Sequence, residues 1–191
     1  MLPARQEAEA LLAEAERCNP GPWGAHSRVA ARCAEAIAAA CPELNGEKAY
    51  ILALLHDVGR KFGTGHLRHV WDGYTYLTAL GYDEAARICL THSFHDLSLR
   101  SYIGRFDLAP EEQRALTQAL SRTVLDDYDW LCQLCDALAS AEGVVDVEVR
   151  MADVKRRYGS YPQEKWDANL ALKAYFEKKA GRSMADLLRE V

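Results

Sequence analysis

Apolar residues recur three and four positions apart in segment after segment of this chain, and almost nowhere do they alternate with a period of two. A helix buries a stripe at the first spacing and a half-exposed strand at the second, so the pattern predicts an all-α fold. The expected helices cover Ala4 to Cys18, Ala25 to Cys41, Gly46 to Arg60, His66 to Leu80, Asp83 to His92, Pro110 to Arg122, Tyr128 to Glu142, Val147 to Tyr158, Pro162 to Ala180 and Met184 to Glu190. Breakers separate them: NPGPWG after the first, Pro42 after the second, Gly81 after the fourth. Pro110 and Pro162 sit where a first helical turn needs no N–H, and Gly181 followed by Ser183 reads as a helix end and then a cap. EGVVDVEV, Glu142 to Val149, is β-branched, but a lone strand has nothing to pair with.

A chain of 191 residues, 49% of them hydrophobic, suffices for one domain with a sizeable core, and no composition break marks a second. The formal charge of −5 argues against non-specific attraction to polyanions, so nucleic acid is not an expected partner, although a local basic cluster can still hold a small phosphate. No 18-residue apolar run appears, and the opening MLPARQEAEALLAEAERC carries acids in place of a signal-peptide layout. The expectation is a cytoplasmic protein with no membrane partner. Six cysteines are too few for a disulfide scaffold in a chain this long, and the CxxC of Cys132 and Cys135 lies inside a helical pattern with no second pair. All six read as reduced packing residues.

The anomaly is ILALLHDVGR, Ile51 to Arg60, an apolar helical run that drives toward a core and ends in His56 and Asp57. Burying an ionised carboxylate without a partner is expensive, so a cation must face Asp57. Other segments repeat the pattern. His26 heads a stripe continued by Val29, Ala30, Cys33 and Ile37; His69 aligns with Gly73, Tyr76 and Leu80; His92 aligns with Ala85, Ile88 and Cys89. Asp136 sits among small and apolar neighbours in LCQLCDALASA, whereas Asp126, Asp127 and Asp129 cluster at a helix start, where acids favour the dipole and solvent. One inward histidine is ordinarily a satisfied core residue. Several inward histidines and two inward aspartates on different helices are more simply satisfied by a divalent metal, whose charge offsets both carboxylates.

These residues resemble the HD-domain metal-dependent phosphohydrolases. The family's signature is a histidine on one helix, a His-Asp doublet on a later one and an aspartate on a third, matched here by His26, by His56 with Asp57, and by Asp136. The doublet's context LLHDVGR resembles the family's LLHDIGK. Many members add two histidines that enlarge the site to two metals, and His69 in HVWDG and His92 in ICLTHS resemble those. His66 competes with His69. Where two-metal members often carry a His-His pair, this chain has His92 followed by Ser93, with His95 as another donor. The likeness spans about residues 24 to 142, leaving 1–18 and 147–191 as helical extensions that could serve as lid or dimer surface; oligomeric state is not legible. No GYP follows the later histidines, so similarity to the cyclic-dinucleotide branch is poor.

Histidine and carboxylate ligation without thiolate suits manganese, iron, cobalt or nickel, one or two ions, with zinc and magnesium as alternatives. Such a site fits attack of metal-bound water on a phosphate ester, with Asp57 bridging in the two-ion form. The expected substrate is a nucleotide or another small phosphorylated metabolite; the alternative is a binding or regulatory module that holds a phosphorylated ligand without turnover. Arg60 or Lys61 is positioned to meet the phosphate or to decorate a helix end. Lys155, Arg156, Arg157 and Tyr158, and the aromatics Trp23, Trp71 and Tyr74, are candidates for the rim, with a solvated face and the core as their ordinary roles.

Overall fold

The structure, a computed structural model, describes residues 1–191, the side chain of Ser101 excepted. The fold is all-α. Ten α-helices run α1 (Arg5–Cys18), α2 (Trp23–Ala39), α3 (Gly46–Leu55), α4 (Arg68–Ala79), α5 (Asp83–Thr91), α6 (Pro110–Ser121), α7 (Asp127–Leu138), α8 (Val147–Tyr158), α9 (Gln163–Ala180) and α10 (Met184–Leu187) among the described residues. None is long and apolar enough to cross a membrane.

Helix α3 is the axis of the molecule. It starts at Asn45, whose side-chain oxygen accepts from the Lys48 amide at 2.8 Å, and every residue from Ala49 to Leu55 is buried. A helix apolar on all sides must be surrounded, and α1, α2, α5 and α7 pack against it. The predicted stripe of α2 is buried as expected, from His26 through Val29, Ala30 and Cys33 to Ile37. In α4 the stripe is shifted: His69, Val70, Gly73 and Leu77 are buried, while Leu80 at the helix end is exposed beside the turn at Gly81. A second apolar cluster, with Leu67, Val70, Leu90, Phe94, Leu116 and Leu120, lies between α4, α5 and α6.

Two departures from the expected helices matter for the site. The helix expected to run to Arg60 stops at Leu55, and Val58–Phe62 forms a 3₁₀ turn. That turn lays Gly59 directly on α4. A Cβ there would come within 2.0 Å of the His69 carbonyl oxygen and 2.4 Å of the Gly73 nitrogen, so only glycine permits the crossing. The helix expected to reach Glu142 stops at Leu138. Ala139–Ser140 (β1) pairs antiparallel with Gly143–Val144 (β2), Ala139 opposite Val144, around a turn made possible by Gly143 at φ +143°. The β-branched stretch therefore does find a partner, in the residues just before it.

The terminal segments share the main core. Ala8, Leu12 and Ala15 of α1, Met151 of α8, Phe176 of α9 and Leu187 of α10 join the same apolar cluster as α2 and α3. Pro110 opens α6, and Gly181 at φ +65° closes α9, with Ser183 capping α10. All six cysteines are free; five are buried as packing residues, but Cys18, at the end of α1, is exposed.

Candidate metal centre

Four helices and the turn after α3 bring six side chains together, five of them lining the inner end of one cavity of about 490 Å³ and the sixth, His56, buried. His26 comes from the first turn of α2, His56 and Asp57 from the end of α3, His69 from α4, His92 from the end of α5 and Asp136 from α7. All but Asp136 are buried; its side chain, 34% exposed, opens toward the cavity.

Asp57 stands at the middle of the group. His69 Nε2 lies 3.1 Å and His92 Nε2 3.7 Å from its Oδ1, and these two nitrogens are 3.3 Å apart. His56 Nε2 is 3.9 Å from Asp57 Oδ2 and 3.9 Å from Asp136 Oδ1, and His26 Nε2 is 2.9 Å from the same Asp136 oxygen. Donor atoms about 2.1 Å from one ion stand roughly 3 Å apart when adjacent and about 4 Å when opposite. Two groups have donor atoms all within 4.8 Å of one another, His26 with His56 and Asp57, and Asp57 with His69 and His92, and the second meets the tighter spacing throughout. Asp57 belongs to both.

The other ring nitrogens fix what these atoms offer. Nδ1 of His56 faces the Ala53 carbonyl at 2.7 Å, Nδ1 of His92 the Cys89 carbonyl at 2.9 Å, and Nδ1 of His69 the His66 carbonyl, each three residues back. Nδ1 of His26 faces the carbonyl of Ala139 at 3.2 Å, which is exposed to it because α7 ends there and β1 begins. A carbonyl accepts only, so each Nδ1 carries a proton, and in a neutral ring Nε2 then turns a lone pair inward. Nε2 of His56 and Oδ1 of Asp57 are buried with no hydrogen-bond partner. His26 and His69 face acceptors at both nitrogens. His56 Nε2 and Asp57 Oδ1 thus lack a partner, and the Nε2 atoms of His26 and His69 stand against carboxylate oxygens, an arrangement that a divalent cation would satisfy.

Burial pushes the His92 imidazole down to about 3 and lowers that of His56, so both are neutral at ordinary pH. Burial alone would raise Asp57, but the guanidinium of Arg60 and the imidazoles of His69 and His56 outweigh it and hold the carboxyl well below the usual carboxylate range. For Asp136 burial is likewise overcome by His26, and the carboxyl is lowered. The expectation that a metal alone is the cation facing Asp57 needs correction. Arg60 Nε donates to Oδ2 at 2.6 Å, because a 3₁₀ turn eclipses positions i and i+3. Oδ1 remains free for the histidines.

Around this centre the sequence expectations divide. His66 and His95 stay outside the cluster: His66 packs edge-on against Tyr158, and His95 Nε2 bonds Asn169 Oδ1 at 3.1 Å. Lys61 turns away to Glu14 and Tyr76. Trp23 lines the cavity, whereas Trp71 and Tyr74 pair with one another outside it. Arg157 and Tyr158 reach the rim; Arg156 points to solvent on Asp153. Asp126 caps α7, but Asp129 is not at the surface: it is fully buried, accepting from Thr91 at 2.6 Å and Arg87 at 2.8 Å. Sequence reading missed Arg150, Tyr161, Lys165 and Asn169, which line the cavity from the α8 and α9 region. No motif signals them. Lys165, for instance, bonds the carbonyl of Ser93, 72 positions earlier.

A family model described as HD domain matches residues 23–141, from the start of α2 to the turn of the hairpin, a segment holding all six clustered side chains. No curated protein and no solved structure matches the chain. With the match covering more than half of its length, the chain belongs to the HD-domain family.

Proposed function

We propose that the protein is a metal-dependent phosphohydrolase of a small phosphorylated metabolite, with a nucleotide as the leading candidate. The observation that carries this reading is the convergence of four imidazoles and two carboxylates, with His56 Nε2 and Asp57 Oδ1 orphaned in the interior. In this reading His26, His56, Asp57 and Asp136 hold one divalent ion, and Asp57, His69 and His92 hold a second. When bound, such ions supply water acidified toward neutral pH and polarise a phosphoryl oxygen. The ligand set suits manganese, iron, cobalt or nickel, and zinc or magnesium less closely.

The chain's own residues do the rest. Arg60 keeps Asp57 ionised and in one rotamer, and as a lining residue it meets the phosphate with the guanidinium N–H groups not given to Asp57. The Ala53, His66, Cys89 and Ala139 carbonyls hold each imidazole in its ligating tautomer. Asp57→Ala is expected to abolish both bound metal and hydrolysis of a generic phosphate ester with added manganese, while circular dichroism shows a folded protein. Full metal content in that variant would overturn the ligand assignment. Metal binding without turnover of any phosphate ester in the natural chain would favour a ligand-holding module.

A further inference from the structure

Lys165 is unusual among the lysines of this molecule. Lys48, Lys61, Lys173 and Lys179 each have a carboxylate partner, in Glu84, Glu14, Asp146 and Asp127, and Lys155 and Lys178 are exposed to solvent. Lys165 has none within 4.0 Å among the described residues, although it lines the same cavity as His26, Asp57, His69, His92 and Asp136. Its Nζ donates once, at 2.8 Å, to the Ser93 carbonyl next to His92. An ammonium carries three N–H donors and no acceptor, so capping that helix end engages only one. Burial pushes the group down to about 8, and the more distant carboxylates of Asp136 and Asp96 offset only part of that. With no carboxylate in contact, the two N–H donors left over at the cavity wall suit an anionic occupant.

The rest of the lining points the same way. Its carboxylates are Asp57 and Asp136; its cations are Arg60, Arg150, Arg157 and Lys165. Asp153 serves both Arg150 and Arg157, at 3.8 and 2.9 Å, and leaves part of their charge unbalanced. The cavity of an acidic chain is therefore locally cationic before any divalent ion adds its charge. A phosphodiester brings one negative charge, a phosphomonoester close to two at neutral pH.

We propose that Lys165 is an anion-binding residue of this cavity and that, through it, the site selects phosphomonoester dianions over phosphodiester monoanions. The selectivity for esters rests on the phosphohydrolase reading above; the anion site does not. Lys165 lies on α9, outside the matched family segment, so this helix supplies the selectivity from beyond the common core.

The test uses the full chain loaded with manganese, with Lys165→Met removing the charge at similar length and Lys165→Arg keeping it. Inorganic phosphate is expected to raise the melting temperature of the natural protein and of Lys165→Arg but not of Lys165→Met. Metal content should be equal in all three. Para-nitrophenyl phosphate should be hydrolysed with at least tenfold higher kcat/KM than bis(para-nitrophenyl) phosphate, and Lys165→Met should raise KM for the monoester, and the inhibition constant of phosphate, by about tenfold or more, the worth of one charge-assisted hydrogen bond. An unchanged phosphate response in a folded Lys165→Met, or a natural protein that prefers the diester, overturns the proposal. A natural protein that is stabilised by phosphate through Lys165 yet hydrolyses neither ester would sustain the anion site and remove the phosphohydrolase reading instead.

Discussion

Each histidine of the cluster commits Nδ1 to a backbone carbonyl, but burial makes His92 the clearest reporter of the metal-free state. Its folded value is lowered from 6.5 to about 3, so between these values the unfolded chain binds the proton and the folded chain does not. Stability then rises with pH through that window and is lost as pH falls from about 6.5 toward 3. Thermal melts of chelator-treated protein should show that slope, and His92→Gln should flatten it while remaining folded; an identical slope in the variant would contradict a neutral, desolvated His92. Asp57 behaves differently, since Arg60 already compensates one of its oxygens. That pair spans three residues, and its spacing is plain in the sequence. Whether positions 57 and 60 face one another depends on the switch from α to 3₁₀ geometry, which helical periodicity does not reveal.

The turn after α3 and helix α4 meet backbone to backbone at Gly59 and Gly73. A methyl group at position 59 has no flexible side chain to push aside, only the His69 carbonyl and the Gly73 amide. Gly59→Ala is therefore expected to cost about 1–3 kcal/mol or more through overpacking, and to weaken metal binding because it parts Asp57 from His69. A variant that melts and binds manganese like the natural protein would show that this crossing does not position the site. Helices with a clean stripe, such as α2, were readable because the period of burial and the period of the sequence agree. The hairpin after α7 was not, because its strands are two residues each and their pairing depends on the freedom of Gly143 more than on propensity. Yet that small departure exposes the Ala139 carbonyl that orients His26.

In the molecule as a whole, the matched family segment builds the inner end of the cavity, and α8 and α9 build much of its rim. The inner end was legible because its residues are chemically conspicuous, histidines and aspartates set in apolar stripes. The rim was not. Arg150, Lys165 and Asn169 carry no local signal, and they face the cavity only because α7 packs against both α8 and α9. Packing of α7 against α5 likewise buried Asp129, which local sequence alone would leave at a solvated helix start. The most direct test is an anomalous-scattering map from crystals soaked in manganese. Density should appear within about 2.3 Å of His56 Nε2 and of the Asp57 carboxylate, a ligand distance typical of such ions, with a second peak, if present, between Asp57, His69 and His92. Manganese bound only elsewhere, or no peak among these six side chains at saturating metal, would contradict the metal centre and the chemistry drawn from it.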